Sequence, residues 1–245
     1  MKTAKDAFNQ LLIDYSDLIS NGWFASLAPG LFAPLPPGWF AAGSGSGAGG
    51  NSGTTSKTLP ATIVGSGNFK VNLVWDSTVT SSTFQASINK AALAVANALS
   101  DTLTVNLGIT NSGTGGGASA GPSGGLYESY SWVYSHLKSG DPTFSSLSNS
   151  TSIQGQTNVA VWNAQLKLWG VASTSSLDGS AQFATDIGSS ALFGVALHEL
   201  THALGRVPYG SSPDVFDFFR YTAPGKMLFS SSIPAPLAYF SIDGG

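Results

Sequence analysis

The feature that most limits how this chain can fold is the stretch VALHELTHALGRV, which runs from Val195 to Val207. Its apolar residues recur so densely that the pattern predicts a helix over 189–205, buried on nearly every side. His198, Glu199 and His202 nevertheless stand inside this helix. Burying ionisable groups costs free energy unless each has a partner. We therefore expect these three side chains to share a role that compensates for their burial.

The spacing H-E-x-x-H indicates what that role is. Residues four apart lie on one face of a helix, so His198 and His202 direct two imidazole nitrogens towards one ion. Glu199 is turned about 100° around the helix axis, where it reaches a metal-activated water instead of the metal. The pattern therefore predicts a Zn²⁺ centre with His198 and His202 as ligands and Glu199 as the catalytic general base. Gly205 is the predicted end of the helix.

The third zinc ligand does not follow from the motif. Catalytic zinc sites usually have three protein ligands, but an extended H-E-x-x-H-x-x-G-x-x-H pattern would place the third at Pro208. The remaining candidates are the downstream carboxylates Asp214, Asp217 and Asp243. Asp217 stands among phenylalanines, where a carboxylate needs a partner. That partner is either the metal or a cation, Arg220 or Arg206.

Two tyrosines and the remaining histidine complete the set of residues considered. Tyr209 and Tyr221 carry hydroxyl groups that can bind a metal weakly or donate a hydrogen bond to a tetrahedral intermediate. Asp214 has a simpler reading as the cap of a turn. His136 is interpreted as a packing or surface residue, and Glu128 as a hydrogen-bonded structural carboxylate.

Composition divides the chain at about residue 58. Residues 1–57 contain an amphipathic pattern over 5–20, a Pro/Gly/aromatic segment and a Gly/Ser linker over 42–57. Residues 1–57 are interpreted as a disordered, export-related or assembly segment. The alternative is an inhibitory or partner-binding arm, in which the aromatic groups of the repeated Gly-Trp-Phe-Ala contact the active-site cleft or another copy of the chain. Residues 58–245 are predicted to form the catalytic domain.

Hydrophobic periodicity within 58–245 predicts a mixed α/β fold. Apolar residues alternate in 68–76, 103–109, 159–162 and 176–186, which indicates strands. Helices are predicted over 81–101, over 163–170 and at the motif. The order strand, helix, strand over 68–109 favours a crossover connection between parallel strands. Residues 110–125 are rich in glycine and are interpreted as a loop.

The overall charge excludes some classes of function and favours others. Only 9% of residues are charged, the net charge is −3 and the ten basic residues are scattered, which argues against a nucleic-acid partner. The chain lacks cysteine, which excludes disulfides and thiolate metal sites. No apolar run is long enough to span a bilayer, and the first twenty residues lack the apolar core of a signal peptide. The Gly/Ser/Thr-rich composition is typical of bacterial proteins secreted without a cleavable N-terminal signal.

Several segments together resemble a family of bacterial exported zincin-like metalloproteases. The resemblance rests on HELTHALGR at 198–206, FRYTAPG at 219–225 and AYFSIDGG at 238–245, with weaker likeness upstream from residue 68. It implies an α+β zincin-like, metzincin-related domain, in which a mixed twisted sheet is backed by one helix and faces the active-site helix. It also aligns Asp217 with the aspartate of the family's Leu-Asp-Leu-Phe-Arg-Tyr segment, which favours Asp217 as the third ligand.

These observations favour a secreted zinc endopeptidase with a polypeptide substrate. Two alternatives remain at this point. The first is a metallohydrolase acting on a non-peptide amide or ester, because the same water chemistry serves both bonds. The second is a non-catalytic surface, structural or assembly protein built on a zincin-like scaffold, which the low charge and the Gly/Ser/Thr richness suit.

Overall fold

A computed structural model describes residues 60–140, 147–207, 213–228, 238–241 and 244. The described residues form a mixed α/β structure. Its strands are β1 (Thr62–Val64), β2 (Phe69–Trp75), β3 (Leu103–Asn111), β4 (Ala118–Pro122), β5 (Gly125–Ser129), β6 (Asn158–Trp162), β7 (Gly179–Phe183), β8 (Arg220–Ala223), β9 (Lys226–Met227) and β10 (Tyr239–Phe240). Its helices are α1 (Ser82–Ala98), α2 (Tyr130–Gly140), α3 (Asn163–Leu168) and α4 (Ser189–Ala203), with a 3-10 turn at Phe216–Phe219.

The strands form three sheets. The largest has five strands in the order β1-β2-β3-β7-β4, and β1 pairs antiparallel with β2. Strands β5 and β6 form an antiparallel pair, and β10, β8 and β9 form a small antiparallel sheet. The chain divides into two compact units. Of the described residues, the first unit takes those in 60–101, Gly108–Ser119 and Ala181–Leu197. The second takes Thr102–Leu107, those in Ala120–Ser180 and those from His198 onward.

The first unit has its core between helix α1 and the strands β1 and β2. Alternate residues of β2 are buried, as its period-two pattern requires. Helix α1 begins where Ser81 accepts a hydrogen bond from the backbone N–H of Phe84 (3.2 Å), an N-terminal cap. Phe84 then packs edge-on against Phe183, with ring centroids 5.6 Å apart.

The second unit has its core between the β5–β6 pair and helices α2 and α3. Tyr130 and Phe218 are fully buried there and pack edge-on at 5.7 Å. A part-buried ion pair joins Lys167 to Asp178 at 2.7 Å, and Asp178 also accepts hydrogen bonds from Ser173 and from the backbone of Asn106. These bonds satisfy a carboxylate that is almost completely inaccessible to solvent.

Most of the predicted elements are present. The structure confirms the strands predicted at 68–76, 103–109, 159–162 and 176–186 and the helices predicted at 81–101, 163–170 and 189–205. Most of these elements begin or end a few residues from the predicted bounds. The interpretation of 110–125 as a loop is wrong, because β4 lies within it at the edge of the five-stranded sheet. Residues 1–57 lie outside the described residues. None of the described helices is both long and apolar enough to cross a membrane.

Candidate metal centre

The three motif residues lie in the last two turns of helix α4, and from His198 onward the chain belongs to the second unit. The helix ends at Gly205 in a Schellman turn. The backbone N–H of Gly205 donates to the carbonyl of His202 (2.9 Å), and that of Arg206 donates to the carbonyl of Thr201 (3.1 Å). Gly205 has a φ of +107°, a conformation that residues with a Cβ rarely adopt. The helix therefore ends where the sequence predicted.

The imidazoles of His198 and His202 converge on one point. Their Nε2 atoms are 2.9 Å apart and their rings are nearly perpendicular. Two nitrogens that bind one tetrahedral zinc at about 2.0–2.1 Å lie about 3.3–3.4 Å apart. A separation only a few tenths of an ångström smaller means that small rotations of the rings admit the ion, so these two residues fit a zinc ion as ligands.

The Schellman turn also decides which nitrogen of His202 is available. It presents the backbone carbonyl of Arg206 to Nδ1 of His202, and a carbonyl can only accept, so Nδ1 carries the proton. The lone pair of His202 is consequently on Nε2, the atom that faces His198. A second hydrogen-bond partner that orients the ring in this way is a regular feature of metal-binding histidines.

Burial keeps both imidazoles neutral. Desolvation lowers the pKa of His198 from 6.5 to about 4 and that of His202 from 6.5 to about 3, and the positive charge of Arg206 acts in the same direction. Metal binding requires a neutral imidazole. At neutral pH the pair is therefore in the protonation state that a metal needs, without any change of charge.

Glu199, the residue after His198, is buried, with only 5% of its surface exposed. Burial raises the pKa of its carboxyl from 4.5 to about 7, and the charge of Arg206 opposes part of that rise. A carboxyl group with a pKa near the working pH exchanges protons most effectively in both directions. Burial therefore places the titration of this carboxyl close to neutral pH.

Arg206 is a fourth side chain at the site. Its Nε donates to Thr201 Oγ1 (2.8 Å) and its Nη2 donates to the carbonyl of His198 (3.3 Å). The same Nη2 lies 3.4 Å from His202 Nε2. Thr201 Oγ1 in turn donates to the His198 carbonyl at 2.7 Å. The guanidinium is therefore held against the last turn of the helix, next to the nitrogen pair.

Asp217 is engaged elsewhere in the second unit. Its Oδ1 accepts from Arg220 Nη1 at 2.7 Å, and its Oδ2 accepts from the backbone N–H of Asp214 at 3.0 Å. Asp214 Oδ1 accepts from the backbone N–H of Asp217 at 3.0 Å, so the two carboxylates cap each other's backbone. The ion pair with Arg220 is the alternative role that the sequence left open for Asp217.

Both carboxylates of this turn are buried, with 0% of Asp214 and 2% of Asp217 exposed. Burial raises the pKa of Asp214 well above its ordinary value, and the charge of Asp217 adds to the rise. Burial also raises the pKa of Asp217, against the opposing effects of the backbone of Asp214 and of Arg220. Two carboxylates this close and this buried favour a state in which they hold a proton.

Trp162 connects this turn to the end of helix α4. Its indole Nε1 donates to Asp214 Oδ2 at 3.2 Å in a fully buried bond. Its ring lies so close to Gly205 that a Cβ there would be 2.6 Å from Trp162 Cδ1. The tryptophan therefore supports the backbone that presents the Arg206 carbonyl to His202, and the Asp214 carboxylate holds the tryptophan.

The part of the chain that the structure describes contains no group of three or more His, Cys, Asp or Glu side chains able to hold a metal ion. Asp214 and Asp217 thus do not join the imidazole pair, and the assignment of Asp217 as third ligand stays a prediction. Tyr221 is fully buried in β8, beside the ring of Tyr239. Tyr209 and Asp243 lie outside the described residues.

His136 lies between two tryptophans. Its ring centroid is 3.8 Å from that of Trp132 and 5.2 Å from that of Trp169, and its Nδ1 bonds to the carbonyl of Trp132. This is the packing role that the sequence indicated.

Other residues of the site did not stand out in the sequence. The sequence pattern indicates neither Trp162 nor Thr201 as a site residue, and it indicates Arg206 only as a partner for Asp217. The Gly-Arg pair after the motif was the available signal, since a residue that follows a Schellman glycine folds back onto its helix.

Comparisons with known proteins add no assignment: no family model matches the chain, and no curated protein or solved structure is significantly similar to it.

Proposed function

We propose that this chain is a zinc-dependent hydrolase of the zincin type that cleaves peptide bonds. The observation that carries the proposal is the convergence of the neutral Nε2 atoms of His198 and His202, with His202 oriented by the Arg206 carbonyl. The 2.9 Å contact is a hydrogen bond in which His198 Nε2–H donates to the lone pair of His202 Nε2, and an ion bound by both nitrogens would take the place of that proton. A buried glutamate of raised pKa on the same turn supports a hydrolytic role.

The chemistry divides between the ion and the chain. Zinc, when bound, polarises the scissile carbonyl and makes water more acidic. His198 and His202 would hold the ion through their Nε2 atoms. The Glu199 carboxylate accepts a proton from the attacking water and then delivers it to the leaving nitrogen, a transfer for which a pKa of about 7 suits both directions. The buried surroundings of Glu199 exclude bulk water from this exchange.

The first experiment measures metal content and cleavage together. The purified full chain is reconstituted with zinc, dialysed and assayed for bound metal and for cleavage of a mixed peptide library. We expect about one zinc per chain and peptide cleavage in the wild type. His198→Ala and His202→Ala should lose both. Glu199→Gln should keep the metal and lose at least about a hundredfold in rate, the usual contribution of a general base.

The matched control is His136→Ala, because this third histidine packs between tryptophans and stands outside the motif. It should bind zinc as the wild type does. Failure of the wild type to bind zinc would overturn the proposal and leave a zincin-like scaffold. Zinc binding with turnover of esters or small amides, but of no peptide, would identify the non-peptide metallohydrolase instead.

A further inference from the structure

Trp162 lies at the junction of β6 and α3 and contacts the glycine that ends the motif helix. Both residues belong to the second unit. A Cβ on Gly205 would lie 2.6 Å from Trp162 Cδ1, 3.2 Å from Trp162 Cγ and 3.2 Å from Gln165 Nε2. No real Cβ is accommodated at the first of these distances, so the indole lies directly against the Gly205 backbone. The first turn of α3 therefore supports the end of α4.

The indole is itself fixed by hydrogen bonds. Its Nε1 donates to Asp214 Oδ2 at 3.2 Å in a buried bond, and the backbone N–H of Trp162 donates to Gln165 Oε1 at 3.0 Å. The strand that carries the tryptophan is also joined to the Asp214 turn, because the backbone N–H of Ala160 donates to the carbonyl of Pro213 at 2.9 Å. A buried indole N–H needs an acceptor, so the Asp214 carboxylate holds the ring in one orientation.

The backbone that Trp162 supports decides which nitrogen of His202 carries a proton. The Arg206 carbonyl accepts from His202 Nδ1, and the lone pair of His202 Nε2 accepts from His198 Nε2–H. The guanidinium of Arg206, carried by the same backbone, places its Nη2 3.4 Å from that Nε2. If the backbone at Gly205 moved, a neutral His202 could carry its proton on Nε2 instead. A proton would then stand where a metal needs a lone pair.

We infer that Trp162 is a positioning residue of the metal centre, which holds the backbone at Gly205 and so selects the tautomer of His202 that binds a metal. The inference rests on the proposed function and extends the centre to a side chain outside the motif helix. Loss of a group that directly orients a metal-binding histidine costs about tenfold to a hundredfold in metal affinity. Trp162 acts one step further out, through the Arg206 carbonyl, so we expect an effect at the lower end of that range.

A tryptophan that only fills the core would affect stability and not the imidazole. Both roles predict that Trp162→Phe unfolds more easily, because it loses a buried hydrogen bond and some packed volume. Only the positioning role predicts a change at His202 while the protein is still folded. The tautomer of His202 in the metal-free chain therefore separates the two roles without any measurement of activity.

The experiment records long-range proton–nitrogen correlation spectra of the full chain with isotope-labelled histidine, in EDTA at neutral pH. The chain has three histidines, so single His→Ala substitutions assign each ring. We expect the wild type to carry the His202 proton on Nδ1. Trp162→Phe should show a second population with the proton on Nε2. Its zinc affinity, measured by competition with a chromophoric chelator, should be about tenfold weaker.

The matched control is Trp75→Phe. Trp75 is also buried, and its indole donates to Thr62 Oγ1 at 2.9 Å. The substitution therefore removes the same kind of hydrogen bond from the core of the first unit. It should keep the wild-type tautomer of His202 and bind zinc as the wild type does.

A folded Trp162→Phe with an unchanged His202 tautomer, or with unchanged zinc affinity, would overturn the inference while leaving the metal centre in place. If Trp162→Phe does not fold, Asp214→Asn decides through the same spectrum of the metal-free chain. One amide oxygen cannot accept from both the indole N–H and the backbone N–H of Asp217, so the second His202 population should appear there too, and its absence would overturn the inference. A wild type that binds no zinc would overturn the proposed function itself, and this inference with it.

Discussion

At the scale of single residues, the geometry of the site depends on the lack of a Cβ atom at Gly205. Gly205 has a φ of +107°, and a Cβ there would lie 2.6 Å from Trp162 Cδ1. Gly205→Ala should lower the free energy of unfolding by at least about 1–3 kcal/mol, the cost of a strained backbone. It should also weaken zinc binding, because the Arg206 carbonyl would no longer meet His202 Nδ1. Urea denaturation of the metal-free chain and a zinc titration measure the two effects.

The matched control is a glycine in the same helix. Gly194 lies within α4, and a Cβ there would have no atom within 4 Å. Gly194→Ala should therefore raise the free energy of unfolding by up to about 1 kcal/mol, since alanine loses less backbone entropy in a helix. A Gly205→Ala protein that is as stable as Gly194→Ala, and binds zinc as well, would refute the importance of the Schellman turn.

These residues also show which features of the site can be predicted from the sequence. The positions of His198, Glu199 and His202 follow from the period of a helix alone, and the end at Gly205 follows from its tolerance of positive φ. The contact of Trp162 with Gly205 does not follow, because the two are separated by more than forty positions and meet only through tertiary packing. Sequence spacing predicts the geometry within one helix, but it does not predict the contact between Trp162 and Gly205.

At the scale of elements, the error over 110–125 has a clear cause. Strand β4 is made of alanine, serine, glycine and proline, and among its residues only Ala120 is buried. It is held by backbone hydrogen bonds to its neighbour in the sheet rather than by an apolar face. A pattern based on side-chain hydrophobicity cannot detect a strand of this kind. The same pattern does predict β2, because alternate residues of β2 are apolar and buried.

The turn that contains Asp214 and Asp217 is the element on which the third-ligand question depends. Asp217 accepts hydrogen bonds from Arg220 and from the backbone of Asp214. Asp217→Asn should lower the free energy of unfolding by about 1–3 kcal/mol, because it loses a charge-assisted hydrogen bond to Arg220 but also relieves the repulsion between two buried carboxylates. It should leave zinc content unchanged. Metal analysis beside thermal unfolding checks this. Loss of zinc at unchanged stability would instead establish Asp217 as the third ligand.

At the scale of the whole molecule, burial of the site links stability to pH. His198 and His202 have pKa values lowered from 6.5 to about 4 and about 3. Their contribution to the stability of the metal-free chain is complete above pH 6.5 and is lost as the pH falls towards those values. Glu199 acts in the opposite sense, because its pKa is raised from 4.5 to about 7. Its contribution is complete below pH 4.5 and is lost as the pH rises towards 7.

Between pH 4.5 and 6.5 the effects of the two histidines and of Glu199 therefore partly cancel. The histidines make the free energy of unfolding rise with pH, and Glu199 makes it fall. In Glu199→Gln the opposing effect is absent, so the rise should be steeper than in the wild type by up to about 1.4 kcal/mol per pH unit, the equivalent of one proton. Urea denaturation in EDTA at several pH values between 4.5 and 6.5 measures the difference.

The chain's other glutamate, Glu128, supplies the matched substitution for this comparison. Glu128→Gln removes the same charge outside the motif. If it makes the free energy of unfolding rise with pH as steeply as Glu199→Gln does, the effect reflects net charge and not the buried site. Equal slopes in Glu199→Gln and the wild type would show that folding leaves the pKa of Glu199 at its ordinary value of 4.5. A carboxylate with that pKa would be too weak a base for the role in proton transfer that the proposed function gives it.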